Sequence, residues 1–221
     1  MRIVALAMVG SLTVLTGCGG GDRLAAPVSG VAGSAEMRPT QGVADAWNYT
    51  NAEADLTRYR TLLIERAEIY SGPQADFAGL PRAEVEKIAQ MLPEEAKKAV
   101  GAKYRLVNEP GPDVARLKFT LVRIEETVPY VSTLTRVIPI GAVVNLGQEA
   151  AGNGGTLTGS LTVVLEAFDS QTGELLVSAQ RRVAPAAFDL KATMGTEETA
   201  QAVAEEIGQQ LVRRLDEIAA S

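Results

Sequence analysis

From Thr156 to Val183 the chain reads TLTGSLTVVLEAFDSQTGELLVSAQRRV. Leu157, Leu161, Val163 and Leu165 share one parity, while Thr158, Ser160, Thr162 and Glu166 share the other. Side chains alternate across a strand with a period of two, so this run buries one face and wets the other. Asp169-Ser170-Gln171-Thr172-Gly173 makes the turn, with Gly173 free to adopt the positive φ that reversal needs. The stretch is therefore a hairpin from a sheet that needs cover on one side, and its neighbours must supply that cover.

Two amphipathic stretches do so. Pro81 opens a helix over 82–100, with Val85, Ile88, Leu92, Ala96 and Val100 at helical spacing. Pro93 falls inside this pattern and predicts a kink or a split; Gly101 is placed to end the helix. A second helix starts near Thr196, whose hydroxyl can cap, with Glu197 and Glu198 toward the positive dipole end. Ala200, Ala204, Ile207, Leu211, Leu215 and Ile218 form its apolar stripe. Further strands are predicted at Thr61–Ile69, 104–107 and 114–125. In the last, Ala115, Leu117, Phe119 and Leu121 alternate before Val122 and Ile124 change parity, which predicts a bulge near Leu121. The expected fold is a single α+β domain in the order β-α-β-β-β-β-α. Its sheet is mainly antiparallel, with four or five strands and both helices on one face.

The 221 residues suffice for one well-buried domain, and 46% apolar against 22% charged residues argues for a folded chain. A net charge of −6 without a basic cluster excludes nucleic acid as a partner. The chain has no histidine, the commonest general base and metal ligand, and one cysteine, so no internal disulfide can form.

That cysteine lies in LTVLTGCGGG, residues 12–21. Arg2 precedes an apolar run from Ile3 to Leu15, 13 residues and too short to span a bilayer, which takes about 20. The pattern is that of a secretory signal. Leu15-Thr16-Gly17-Cys18 resembles the lipobox of bacterial lipoproteins. That resemblance implies cleavage before Cys18, diacylglycerol on its sulfur and an acyl group on its new amine, so the lipid bilayer is a partner. Gly19 in second position, where inner-membrane retention is associated with Asp, resembles the signal for the periplasmic face of the outer membrane of a Gram-negative bacterium. The expected organisation is a signal peptide at 1–17, a lipidated flexible tether at 18–46 rich in Gly, Ala, Ser and Pro, and a folded domain at 47–221.

Three phrases carry a wider resemblance: NAEADLTRY at 51–59, NEPGPDV at 108–114 and DSQTGE at 169–174. In this order behind a lipobox they resemble the bacterial lipoprotein family catalogued as domain of unknown function 3313, over Trp47 to Ala219. The resemblance implies an envelope lipoprotein with an unbroken first helix, from which Pro93 departs. It brings no activity and no catalytic residues.

Candidate chemistry is sparse. Of the carboxylate pairs, Glu94-Glu95 and Glu205-Glu206 are expected on solvated helix faces beside Lys97, Lys98, Arg213 and Arg214. Glu65 and Glu125 belong to strand ends and are the remaining acid–base candidates for a cell-wall hydrolase. No Ser-x-x-Lys or Gly-x-Ser-x-Gly occurs, and Gly152-Asn153-Gly154-Gly155 precedes a strand where a phosphate loop precedes a helix. No catalytic, cofactor-binding or metal-ligating set is expected. An apolar insertion at 128–152 stands apart: Arg136 is the only charge from Val128 to Gly147. Pro129, Pro139 and Gly141 exclude a spanning helix. Its contact candidates are Tyr130, Val131, Leu134, Val137 and Ile138, then Ile140, Val143, Val144 and Leu146. They either cover the sheet or dock a partner. The expected function is non-enzymatic: binding of an envelope protein or self-association. A pore-forming oligomer that inserts 128–147 is the alternative.

Overall fold

The computed structural model describes residue 24 and residues 26–125, 159–184 and 196–220. Its strands are β1 (Arg38–Pro39), β2 (Ala46–Thr50), β3 (Thr61–Ile64), β4 (Glu68–Ile69), β5 (Arg105–Val107), β6 (Val114–Glu125), β7 (Ser160–Asp169) and β8 (Leu175–Val183). The helices are α1 (Arg82–Val100) and α2 (Thr196–Ala220).

The α+β class holds, but the sheet is larger than expected and mixed. Its eight strands run β1-β2-β8-β7-β6-β3-β5, with β4 also paired to β6. The hairpin β7–β8 and the pair β6–β7 are antiparallel, whereas β3 pairs in parallel with both β5 and β6. The physical reason lies in the β3-α1-β5 succession. A helix between two strands brings the chain back to the same end of the sheet, which makes their pairing parallel. The extra strands β1 and β2 are short and close one end of the sheet, in sequence with too few apolar residues to show an alternation.

The hairpin register is as the alternation demands. Leu161 and Val163 enter the helix-covered core, while Thr162, Val164 and Glu166 face the other way. Gly173 turns at φ 73°. The bulge in β6 is present, with the register slipping between Leu121 and Arg123. It sends Leu121 and Ile124 to the helix side and Val122 to the back.

Both helices lie on one face. Val85, Ile88, Leu92, Ala96 and Val100 of α1 are all buried. Helix α1 runs unbroken through the buried Pro93, so the predicted split does not occur. Packing of Leu92, Ala96 and Val100 outweighs the missing amide. Gly101 closes the helix in right-handed conformation, its N–H donating to the Lys97 carbonyl at 3.0 Å. Helix α2 presses on α1 at Gly208, where an added Cβ would stand 3.0 Å from the Glu95 carbonyl oxygen and 3.2 Å from the Ala99 Cβ.

The back of the sheet corrects a second expectation. Of the residues read as tether, 26–37 form a strap across that face, and 38–45 lead through the edge strand β1 into β2. Val28 and Met37 are buried there against Tyr70, Val122 and Val164, with Trp47 and Tyr49 alongside. The Val28 N–H donates to Gln180 Oε1 at 2.8 Å and the Ala32 N–H to Glu166 Oε1 at 2.7 Å. Tyr70 Oη donates to the Ser29 carbonyl at 3.0 Å. The strap is held by two apolar anchors and by side chains that satisfy its backbone amides, in place of a long strand ladder. Residues 1–17, expected to be a signal peptide, Cys18 and the insertion expected at 128–152 lie outside the described residues.

Candidate functional site

The three phrases singled out in the sequence meet at one end of the sheet. Tyr59 Oη donates to Asp169 Oδ2 at 2.8 Å, and Arg58 Nη2 donates to the same oxygen at 3.2 Å. Arg58 also pairs with Asp113 at 3.0 Å. Ser170 Oγ donates to the Gly111 carbonyl at 3.0 Å, and Asn51 Nδ2 donates to Glu174 Oε1 at 2.8 Å. Asp169 Oδ1 meanwhile accepts the amides of Gln171 and Thr172, both at 2.9 Å. Those amide bonds and the Tyr59 hydroxyl hold the buried carboxylate at a pKa of about 2. Burial and the facing carboxylate push Tyr59 up to about 12. With every Asp169 acceptor position occupied, this junction is a structural clamp.

Beside the clamp, a groove opens beneath α2. The sheet path is seven strands wide, about 29 Å at the usual ~4.8 Å spacing, and two helices of ~10 Å cover only about 20 Å of it. The uncovered margin falls between α2 and strands β8 and β2. There a cleft of about 490 Å³ has Val163, Leu165, Val177 and Ala179 as its floor. A smaller pocket of about 90 Å³ continues under α2 toward Leu56, Tyr59, Leu215 and Ile218. Leu165, Val177, Leu211 and Arg214 line both.

One residue breaks the apolar floor. Arg181 pairs across the sheet with Val163 and with Ala46, on the inward-facing parity of the hairpin. Its Nη1 donates to Gln210 Oε1 at 3.0 Å. Among the described residues no carboxylate lies within ion-pair distance of it. Burial, then the charge of Arg214, push its pKa down.

The back face holds a second buried polar group. Glu166, 1% exposed, stands 2.8 Å from Lys118 Nζ as a close ion pair rather than an aligned hydrogen bond. Burial alone would lower the Lys118 ammonium. Glu166, with Glu68 beyond it, more than offsets that, and its pKa stands above the ordinary lysine value.

The carboxylates picked from the sequence do not meet. Glu65 pairs with Arg116 at 3.0 Å, beside the start of β6. Glu125, at the end of β6, is gripped by Arg182 and accepts from Ser160 Oγ at 2.8 Å. Burial would raise the Glu125 pKa, but Arg182 and Ser160 bring it below the usual range. The Glu65 amide donates to Leu117, eight residues before Glu125 on β6, so about 26 Å of strand separates the two. Glu95 is not solvated as expected. It is buried where α1 meets α2, bonded to Lys98 and, at 2.8 Å, to Gln201 Nε2. Its place three residues after Leu92 on a broad apolar face is the signal that sequence reading passed over. Glu206 does pair with Arg213, at 2.9 Å. Cys18 and the nine contact candidates from Tyr130 to Leu146 lie outside the described residues. Neither described helix is long and apolar enough to cross a membrane, and the described residues contain no cluster of three metal-ligating side chains.

A family model described as a protein of unknown function, DUF3313, matches residues 27–211. No curated protein matches the sequence. Among solved structures, the PelC dodecamer from Paraburkholderia phytofirmans is similar at 10% identity and a TM-score of 0.36, covering 74% of this chain and 96% of its own. A DUF4136 family protein from Bacteroides thetaiotaomicron is similar at 10% identity and a TM-score of 0.37, covering 79% and 96%.

Proposed function

The chain belongs to the DUF3313 family of proteins of unknown function, and with that as premise we propose that it is a lipid-anchored envelope protein that works by binding. The observation that carries this is Cys18, set behind a short apolar run and the small residues Thr16 and Gly17. Diacylglycerol on its sulfur and an acyl group on its amine hold the chain to the bilayer, since each buried CH₂ contributes about 0.8 kcal/mol and several chains make release negligible. The strap refines the geometry of that attachment. The buried Val28 follows Cys18 by only ten positions. At full extension that length reaches at most ~36 Å, so the folded body stays close to the lipid surface.

The binding role rests on the same sequence logic. The three family phrases are used up in a structural clamp, the strand-end carboxylates are each held by an arginine, and the chain has no histidine. The apolar insertion at 128–147 is the surface proposed to dock an envelope protein or a second copy.

Cys18→Ala tests the anchor. The variant should leave the membrane fraction and lose its lipid mass, and a variant that still pellets after a carbonate wash refutes it. Deleting 128–147 tests the docking surface by in-cell crosslinking, where an unchanged set of partners removes that role.

A further inference from the structure

We infer that the groove beneath α2 is a binding site for a single-chain anionic amphiphile, its aliphatic chain on the hairpin floor and its carboxylate or phosphate on Arg181. The site lies on the opposite face of the sheet from the strap anchors Val28 and Met37, with Thr40 among its lining residues, and the inference stands apart from the anchor at Cys18.

Three independent observations carry it. The first is shape and chemistry: a cleft of about 490 Å³ falls within the range of small-ligand sites, and its floor is apolar. The adjoining pocket beneath Leu211 and Leu215 extends the apolar surface in one direction, as a chain with a single long axis requires.

The second is the misplaced charge. On β7 and β8 the inward positions that line the groove or flank it are Leu161, Val163, Leu165, Ala167, Val177, Ala179, Arg181 and Val183, of which Arg181 is the one charged residue; Asp169, next on this parity, is engaged in the clamp. Arg181 is half-buried in an open cleft, and a guanidinium partly withdrawn from water gains from an anion. Gln210 satisfies one donor of five, and the described residues bring no carboxylate to the rest. Inward-pointing charges can also protect a free sheet edge. Strand β8 is not one, since β2 pairs along it from Ala46 to Thr50.

The third is the sign of the field. In a chain of net charge −6, the described residues that line the cleft bring Arg181, Arg213 and Arg214 against the single carboxylate of Glu217. Arg213 and Arg214 pair with Glu206 and Glu217 through exposed side chains, where such pairs are weak and exchange readily. An incoming headgroup can thus recruit them, while the apolar floor repels a small inorganic anion. Acyl chain plus anion meets both demands, and neither part alone does.

The test uses the full chain and two fluorescent probes, cis-parinaric acid and its uncharged methyl ester. The acid should bind saturably and about tenfold more tightly than the ester, as expected for a charge-assisted hydrogen bond to a half-buried guanidinium. Arg181→Gln should erase that difference by weakening the acid alone. Ala179→Trp, which fills the floor, should weaken both, with a thermal melt to verify that each variant is folded. No saturable binding, or equal affinity for acid and ester in the parent chain, overturns the proposal, as does an Arg181→Gln variant that keeps the preference. Competition separates the sources: displacement by palmitate alone assigns a free fatty acid, and displacement by lysophosphatidylglycerol as well assigns a membrane lipid. Displacement by neither counts against the site.

Discussion

Tyr59 and Asp169, 110 positions apart in the chain, meet through a 2.8 Å hydrogen bond that locks the segment before β3 to the turn of the central hairpin. Their shifted acidities point in opposite directions: the Thr172 amide and then this bond lower Asp169, while burial and then this bond raise Tyr59. The pairing makes the clamp measurable.

Asp169→Ala should cost about 2–4 kcal/mol, since it removes four hydrogen bonds and leaves Tyr59, Arg58 and two turn amides to find water. The pH dependence follows from the sign. A carboxylate held at about 2 instead of 3.8 stabilises fully above the unfolded value, and that support drains as pH falls from about 4 to about 2. At the other end, a Tyr59 phenol raised from 10.0 to about 12 stabilises below pH 10 and loses that contribution as pH climbs toward 12. Thermal melts of the parent should therefore fall off at both extremes. Asp169→Asn should flatten the acid limb, and an unchanged limb would contradict the clamp.

Glu166→Ala should loosen the strap. It strips Lys118 of its buried partner and the Ala32 amide of its acceptor, a loss of about 3 kcal/mol. Hydrogen exchange at residues 28–37 should accelerate more than in α1, and so should proteolytic cleavage within 29–36. Uniform acceleration throughout the body would mean that the strap is not a separate unit.

Gly208→Leu should destabilise by about 1–3 kcal/mol, because even a Cβ comes within 3.0 Å of a backbone oxygen on α1. Gly208→Ala sets the gain in helix propensity against the same approach and should fall well short of that loss. If leucine is tolerated as well as alanine, the two helices are not in this close contact.

Pro93→Ala should raise the melting temperature. It restores an amide inside a continuous helix, worth about 3 kcal/mol in propensity, less the packing and chain stiffness that proline supplies. A net gain of about 1 kcal/mol is expected. A loss would show that the buried ring contributes more to the core than the missing bond costs.

Long, regular elements were legible in the sequence because their periodicity is long enough to be unambiguous. The β7–β8 hairpin, the parity change at Leu121 and the apolar faces of α1 and α2 all follow from it. Parallel pairing was legible too, since a helix between Ile69 and Arg105 implies it, but hairpin logic was carried past its domain. The strap was hidden for a different reason. Val28 and Met37 are nine positions apart in sequence rich in glycine, alanine and proline, and their hold depends on Gln180 and Glu166, more than 130 residues away. Arg181 escaped notice because an arginine near a strand end reads as surface until the register sets it opposite Val163 and Ala46.

The strap also decides how force enters the molecule. Tension on the chain ahead of residue 26 does not reach a sheet edge first, where strands shear together. It arrives at Val28, then Ala32, then Met37, so the contacts load one after another and yield at low force, as a strip of adhesive lifts from its end. In a protein moored at this terminus, as proposed, the first load passes through the Val28 and Ala32 amides to Gln180 and Glu166 on the central hairpin, and each contact that lets go lengthens the free chain before the strands themselves must part.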